Sequence, residues 1–241
     1  MAVYPALPDG ELVYAVGDVH GRADLLARLL TQIQADAIGE TVATKRLVFL
    51  GDYVDRGAES AGVVEMLLTQ IPVGFTADFL KGNHEGLLLD FLAEAWRLEH
   101  WRRNGGEATM LSYGVDIDTL HDLGGGSETW QQAFASALPD AHRRFFETLK
   151  LSQTYGDYLF VHAGVMPGVP LDGQDEQDLI WIREPFLDWE EPFGRVVVHG
   201  HTPVPMPEIR SNRIDIDTGA VFTGRLTALK LNGSSQSFLQ T

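Results

Sequence analysis

Asp18-Val19-His20 sets a carboxylate and an imidazole two residues apart between Gly17 and Gly21, where a bend in the chain can turn both toward one point. Four further candidate ligands each follow a short apolar run. Asp52 comes after Leu47-Val48-Phe49-Leu50, Asn83 after Phe79-Leu80, His162 after Tyr158-Leu159-Phe160-Val161, and His201 after Val196-Val197-Val198. Taken singly, each has an ordinary reading: Asp18 or Asn83 as a helix cap, a histidine as a packed or solvated ring. Taken together, six oxygen and nitrogen donors converge on one edge if the apolar runs are neighbouring strands. That is too many for one tetrahedral zinc, but it suits two metal ions about 3.5–4 Å apart with a carboxylate between them. Asp52, central in the order, is the expected bridge. Carboxylate, amide and imidazole without thiolate suit manganese, iron or zinc, and the sequence does not rank them. Two divalent ions, with manganese as the working choice, are the expected cofactors.

Asp55 and Arg56 follow Asp52 closely, and His84 follows Asn83, so a carboxylate, a guanidinium and an imidazole should lie beside the metal pair. Arg56 can grip phosphoryl oxygens bidentately. A metal-held hydroxide can attack phosphorus in line, and His84, oriented and kept protonated by Asp55, can give its proton to the leaving oxygen. The expected chemistry is phosphate-ester hydrolysis. A serine nucleophile fits less well, since no Ser lies in a nucleophile-elbow pattern and Ser60 and Ser112 have no evident partner. Of the eight histidines, His20, His84, His162, His199 and His201 fall at strand ends; His100, His121 and His142 lie in the middle of the chain and keep the ordinary reading.

The elements that must position these groups follow from periodicity. Continuous apolar runs such as Val13-Tyr14-Ala15-Val16 and the four above suit strands buried on both faces. Leu25, Leu26, Leu29, Leu30 and Ile33, then Val63, Val64, Leu67, Leu68 and Ile71, show helical spacing between the first three runs. The order is β-α-β-α-β, with about thirty residues per repeat, the length of a strand–helix–strand unit. In such α/β sheets ligands bind outside the carboxyl ends of the strands, where the polar clusters stand. Residues 87–150 read as a helical insertion, broken by glycines at Asn104-Gly105-Gly106 and Gly124-Gly125-Gly126, with helices expected near Trp130–Leu138 and Ala141–Leu149. Ile214–Asp217 followed by Leu226–Leu231 suggests an antiparallel hairpin, and residues 232–241 a polar tail.

In order and spacing, Gly17-Asp18-Val19-His20-Gly21, Gly51-Asp52-Tyr53-Val54-Asp55-Arg56-Gly57, Gly82-Asn83-His84-Glu85, His162-Ala163-Gly164 and Gly200-His201-Thr202 resemble the motifs of the phosphoprotein phosphatase family of calcineurin-like metallophosphoesterases. The resemblance implies a four-layer α/β/β/α sandwich, one metal held by Asp18, His20 and Asp52, and a second held by Asp52, Asn83, His162 and His201. It implies His84 and Asp55 as the acid pair, with substrate phosphate held by Arg56, Arg183 and Asn83. Arg183 enters only through Trp181-Ile182-Arg183, which is similar to the family's tryptophan-to-arginine motif. His199 rivals His201, but the Gly-His-Thr pattern favours His201 and leaves His199 a packing role. Lys81 stands where many eukaryotic members have arginine, and Ile216–Ala220 lacks their aromatic-containing loop, so the chain resembles the compact bacterial branch. The resemblance implies a serine/threonine protein phosphatase, with phosphotyrosine a further substrate. The alternative is hydrolysis of symmetrical dinucleoside tetraphosphates; an alternative of another class is a metal-loaded but catalytically idle binding module.

Composition bounds the rest. The chain has 241 residues, 44% hydrophobic and 22% charged, without cysteine. That excludes zinc fingers, iron–sulfur clusters, cysteine nucleophiles and a disulfide framework. Eighteen basic residues against thirty-four acidic give a net charge of −16, which disfavours nucleic acid and anionic lipid as partners. Met1-Ala2-Val3-Tyr4-Pro5 lacks a basic segment followed by an apolar run, and no stretch of about 18 apolar residues occurs. A single cytoplasmic domain acting on a phosphoprotein or phosphopeptide is expected, with the oligomeric state open.

Overall fold

The computed structural model describes residues 5–122 and 124–241; the N-terminal reading at Met1–Tyr4 lies outside them. The chain opens with β1 (Glu11–Val16), α1 (Ala23–Asp36), β2 (Thr44–Phe49), α2 (Ser60–Thr69) and β3 (Phe75–Phe79). The three strands pair in parallel, β2 between the others. The reason is visible in β1: Leu12, Tyr14 and Val16 face a helical layer built on Leu25, Leu26, Leu29 and Ile33, while Val13 and Ala15 face a second sheet.

Next come α3 (Asn83–Ala93), α4 (Leu98–Arg103), α5 (Gly106–Ser112), α6 (Ile117–Asp122), α7 (Ser127–Ala137) and α8 (Asp140–Glu147). These helices pack on the same outer face as α1 and α2, through Phe91, Trp101, Phe134 and Phe146 among others. The second sheet holds β4 (Ser152–Tyr155), β5 (Tyr158–Val161), β6 (Val196–His199), β7 (Glu208–Ile209) and β8 (Arg213–Asp215), in the order β4-β5-β6-β8-β7. Its outer face is covered by α9 (Glu176–Trp181) and the loops around it, through Leu179, Ile180 and Phe186. Between the sheets, Val13, Val48, Leu50 and Leu229 meet Phe160, Val198, Ile214 and Ile216. The result is a helix–sheet–sheet–helix sandwich. Among the described residues, no helix is long and apolar enough to cross a membrane.

The C-terminal expectations need correction. Ile214–Asp217 and Leu226–Leu231 do not pair with each other. β8 stays in the second sheet, whereas α10 (Ala220–Thr223) carries the chain across to β9 (Thr227–Asn232), antiparallel to β1. The expected polar tail is a strand, β10 (Ser235–Gln240), joined to β9 by a turn with φ +55° at Gly233. It reads as a tail because an edge strand is half solvated: Ser235 and Ser237 are exposed, while Phe238 and Leu239 pack on opposite faces of the sheet.

Candidate active site

The loops leaving β1, β2 and β3 and those leaving β5 and β6 meet at one edge of the sandwich. His201 N–H reaches the Asp18 carboxylate at 3.2 Å across a separation of 183 residues. Five non-glycine residues among those described have positive φ: His20, Asp52, Asp55, Arg56 and His201. All five belong to the candidate site, so the backbone is bent out of its preferred regions only here. Gly82 has no side chain for a related reason. A Cβ there would collide with the Asp52 carboxylate, which passes directly over the turn into α3.

Glu85 holds this geometry. Its carboxylate accepts the backbone N–H groups of Asp52 (2.9 Å), Tyr53 (2.8 Å), Val54 (3.3 Å) and Gly82 (2.9 Å), tying the loop after β2 to the first turn of α3. Glu85 belongs to the Gly82-Asn83-His84-Glu85 motif, but nothing in the sequence pattern assigns it this task.

Asp52 lies between two sets of donors. Its Oδ2 is 3.5 Å from His20 Nε2 and 3.9 Å from His84 Nε2; its Oδ1 is 3.4 Å from His162 Nε2. Two compact groups result, His20 with Asp52 and His84, and Asp52 with His162 and His201. Asn83 Oδ1 joins the second, 3.0 Å from His162 Nε2 and 2.9 Å from His201 Nδ1. Asp18 falls in neither compact group. It stands behind them, accepting the His201 N–H, and burial with the charges of Asp217 and Asp52 pushes its carboxyl well above the usual range.

These residues fit a pair of cations. His20 Nδ1–H donates to the Val54 carbonyl at 2.8 Å and His162 Nδ1–H to the Leu50 carbonyl at 2.9 Å, so both rings turn Nε2 inward. Burial pushes His20 and His201 down to about 3 and lowers His162 as well, keeping the rings neutral at pH 7. Neutral Nε2 lone pairs then face both oxygens of one buried carboxylate, an arrangement that positive charge between them relieves. His201 Nε2 is buried without any hydrogen-bond partner.

Beside this cluster, His84 Nδ1 is 2.7 Å from Asp55 Oδ2, and His84 Nε2 is buried without a hydrogen-bond partner, facing Asp52. Burial works against charge on His84, but the Asp52 and Asp55 carboxylates outweigh it and raise the ring above its ordinary value. Arg56 is exposed, with Nη1 2.7 Å from His20 Nε2 and its guanidinium 5.9 Å from the ring of exposed Phe222. Arg183 is also exposed, near enough that its charge helps lower His162 and His201. His199 lies outside the cluster, fully buried, its ring 4.9 Å from Phe186 and Nε2 3.4 Å from Arg213. Trp101 and Thr109, which reach Asp55 from the inserted helices, carry no sequence signal, because only the tertiary fold of residues 98–112 brings them there.

The calcineurin-like phosphoesterase family model matches residues 12–224, a span that contains every residue just described. Over 240 residues the chain is 24% identical to the asymmetrical bis(5'-nucleosyl)-tetraphosphatase PrpE of Anoxybacillus flavithermus (strain DSM 21510 / WK1), covering 89% of this chain and 88% of that one. It is 28% identical over 224 residues to serine/threonine-protein phosphatase 1 of Salmonella typhimurium (strain LT2), covering 91% of each. The crystal structure of a provisionally named diadenosine tetraphosphatase superposes with a TM-score of 0.63 at 22% identity over 98% of both chains, a likeness of fold. Two sheets meeting at buried carboxylates and neutral imidazoles, with a match running from β1 to the end of α10, place the chain in the calcineurin-like phosphoesterase family, hydrolases of phosphoric esters.

Proposed function

We propose that this chain is a two-metal phosphomonoesterase acting on phosphoserine and phosphothreonine, and on phosphotyrosine, in proteins. The observation that carries the reading is Asp52, one oxygen turned to each of two imidazole groups, beside a His84–Asp55 pair whose outer nitrogen has no partner. Asp18, His20 and Asp52 would hold one divalent ion, and Asp52, Asn83, His162 and His201 the other, with manganese, iron and zinc all suited to these donors. Such ions supply Lewis acidity toward phosphoryl oxygens and ionise water near neutral pH.

The chain's own groups do the rest. Arg56 and Arg183, exposed at the rim, hold the phosphoryl oxygens and select a dianionic ester. Asn83 Nδ2 can add a neutral donor to the same oxygens. His84 gives the proton on Nε2 to the departing serine or threonine oxygen, while Asp55 keeps Nδ1–H directed away from the substrate. The His84–Asp55 pair also argues against an idle binding module, which has no use for a poised acid.

The protein-phosphatase reading is supported by the Salmonella relative. A second reading, a dinucleoside tetraphosphatase, is favoured by the PrpE relative, whose name specifies asymmetrical cleavage where the sequence resemblance implies symmetrical. The net charge of −16 supports a chain without nucleic-acid partners, and we place it in the cytoplasm. Manganese-reloaded protein should be offered phosphoserine and phosphothreonine peptides beside diadenosine tetraphosphate at matched concentration. Higher kcat/KM on the peptides is expected. Preference for the dinucleotide overturns the protein-phosphatase reading, with mono- plus triphosphate or two diphosphates as products distinguishing the mode of cleavage. Turnover of neither overturns both.

A further inference from the structure

Asp55 is fully buried, and three donors converge on its carboxylate. His84 Nδ1 lies 2.7 Å from Oδ2, Thr109 Oγ1–H donates to Oδ1 at 2.6 Å, and Trp101 Nε1–H points between the two oxygens at 3.1 and 3.0 Å. The last two belong to the inserted helices, Trp101 to α4 and Thr109 to α5. The Thr109 hydroxyl also accepts the Asp55 backbone N–H at 2.8 Å, so it grips the residue from both ends. The turn between the helices completes the brace: the Gly105 carbonyl accepts the Arg56 N–H at 3.3 Å, and a Cβ on Gly106 would penetrate the Trp101 indole. That indole is itself fully buried, its ring centroid 5.1 Å from those of both Phe91 and Phe134.

An indole N–H in a core needs only one acceptor, and a backbone carbonyl would serve. Here it goes to the one carboxylate that orients the acid. A carboxylate with three donors is locked in a single rotamer. Its Oδ2 then fixes the His84 ring, and His84 Nε2 is left as a buried polar atom with no partner, facing the site. We infer that Trp101 and Thr109 are positioning residues for proton transfer: they hold Asp55, which holds His84 so that Nε2–H meets the leaving oxygen. The inference rests on the phosphoesterase reading and gives the inserted helices a part in the chemical step.

The test uses metal-loaded full-length protein and aryl phosphates of increasing leaving-group basicity, from nitrophenyl to phenyl, beside a phosphoserine peptide. Trp101→Phe keeps a ring and loses the N–H; Thr109→Val loses the hydroxyl at equal volume, and Thr109→Ser restores it; His84→Asn is the benchmark. Trp101→Phe and Thr109→Val should lose about 10- to 100-fold in kcat on phenyl phosphate and the peptide, at most a few-fold on nitrophenyl phosphate, with KM and metal content unchanged. Thr109→Ser should behave as wild type. Equal loss on every ester, or Thr109→Ser as slow as Thr109→Val, overturns the inference alone. A His84→Asn variant whose loss ignores leaving-group basicity overturns the acid assignment and the inference with it; wild type inert on all esters overturns the functional reading. A further readout needs no turnover. In metal-free protein the Trp101 indole N–H signal, identified by elimination with single Phe variants of Trp96, Trp130, Trp181 and Trp189, should exchange slowly with solvent and shift in Thr109→Val. Fast exchange, or no shift, overturns the inference even if Trp101→Phe does not fold.

Discussion

Replacing Glu85 by Gln changes one oxygen for an NH2 group and leaves shape and volume nearly intact, so the consequence is computable from hydrogen bonds alone. Glu85 Oε2 accepts from Asp52 and Gly82, and Oε1 from Tyr53 and Val54. Whichever way the new amide turns, its oxygen serves one pair and its NH2 faces two backbone N–H groups that then have no acceptor. An orphaned buried donor costs about 1–3 kcal/mol, so the variant should lose about 3 kcal/mol. In a chain of this length that is a fall of about 6–12 °C in Tm. Against a typical stability of about 5–15 kcal/mol the variant still folds. The assay is urea unfolding with and without chelator, the midpoint shift being read at constant m-value. The loss should persist in chelator, since it lies in the protein's own hydrogen bonds. A shift within about 0.5 kcal/mol of wild type, the range of an ordinary surface change, would refute the claim that this carboxylate holds the bent loop.

Asp52→Asn should lose at least one metal by elemental analysis, because one oxygen faces each imidazole group; retention of both ions would sink the bridging assignment. Gly82→Ala should destabilise by more than about 3 kcal/mol or fail to fold, since its methyl would overlap both the Asp52 carboxylate and the Asp52 backbone nitrogen; near-normal stability counts against the close approach. Deleting residues 234–241 should lower stability by at least about 2 kcal/mol by removing Phe238 and Leu239 from the two faces of the first sheet, whereas an unchanged melting curve would restore the reading of that segment as a tail. Asp36 sits below the usual carboxylate range: burial raises it, but hydrogen bonds from Lys230 and Tyr14 prevail. Its contribution is present above the unfolded value near 4 and lost as pH falls through the lower folded value. Asp36→Asn should therefore flatten the acid side of a Tm-against-pH plot, and an unaltered slope would contradict the assignment.

The strand-end positions of Asp18, Asp52, Asn83, His162 and His201 were legible because each follows an apolar run that had to be interior, and a turn-forming cluster that had to be at its end. Periodicity likewise sufficed for α1 and α2, whose buried faces repeat every three to four residues. It failed for β10, because an edge strand that opens Ser235-Gln236-Ser237, with both serines exposed, has the composition of a solvated tail. It failed for the pairing of β8 as well. Ile214-Asp215-Ile216 and Leu229-Lys230-Leu231 have similar patterns, and nothing local says that they belong to different sheets. Trp101 and Thr109 were invisible for another reason. Their partner is 46 and 54 residues away, and an indole in a helix reads as core whatever its N–H meets.

The separation of 183 residues between Asp18 and His201 governs how the site comes into being. The loops of the first sheet carry Asp18, His20, Asp52 and Asn83, but His162 and His201 follow strands of the second, so the proposed second ion site is complete only after the two sheets have docked. The entropy of closing so long a loop grows only with the logarithm of its length, but it must be met before these non-local contacts form, making docking a late and slow event in folding. Whatever then binds across the junction returns that cost by mass action, about 4 kcal/mol at a thousand times its dissociation constant. Chelation should accordingly loosen the seam between the halves before it melts either one, and hydrogen exchange should register the loss first in β1, β5 and β6, where the two sheets face each other.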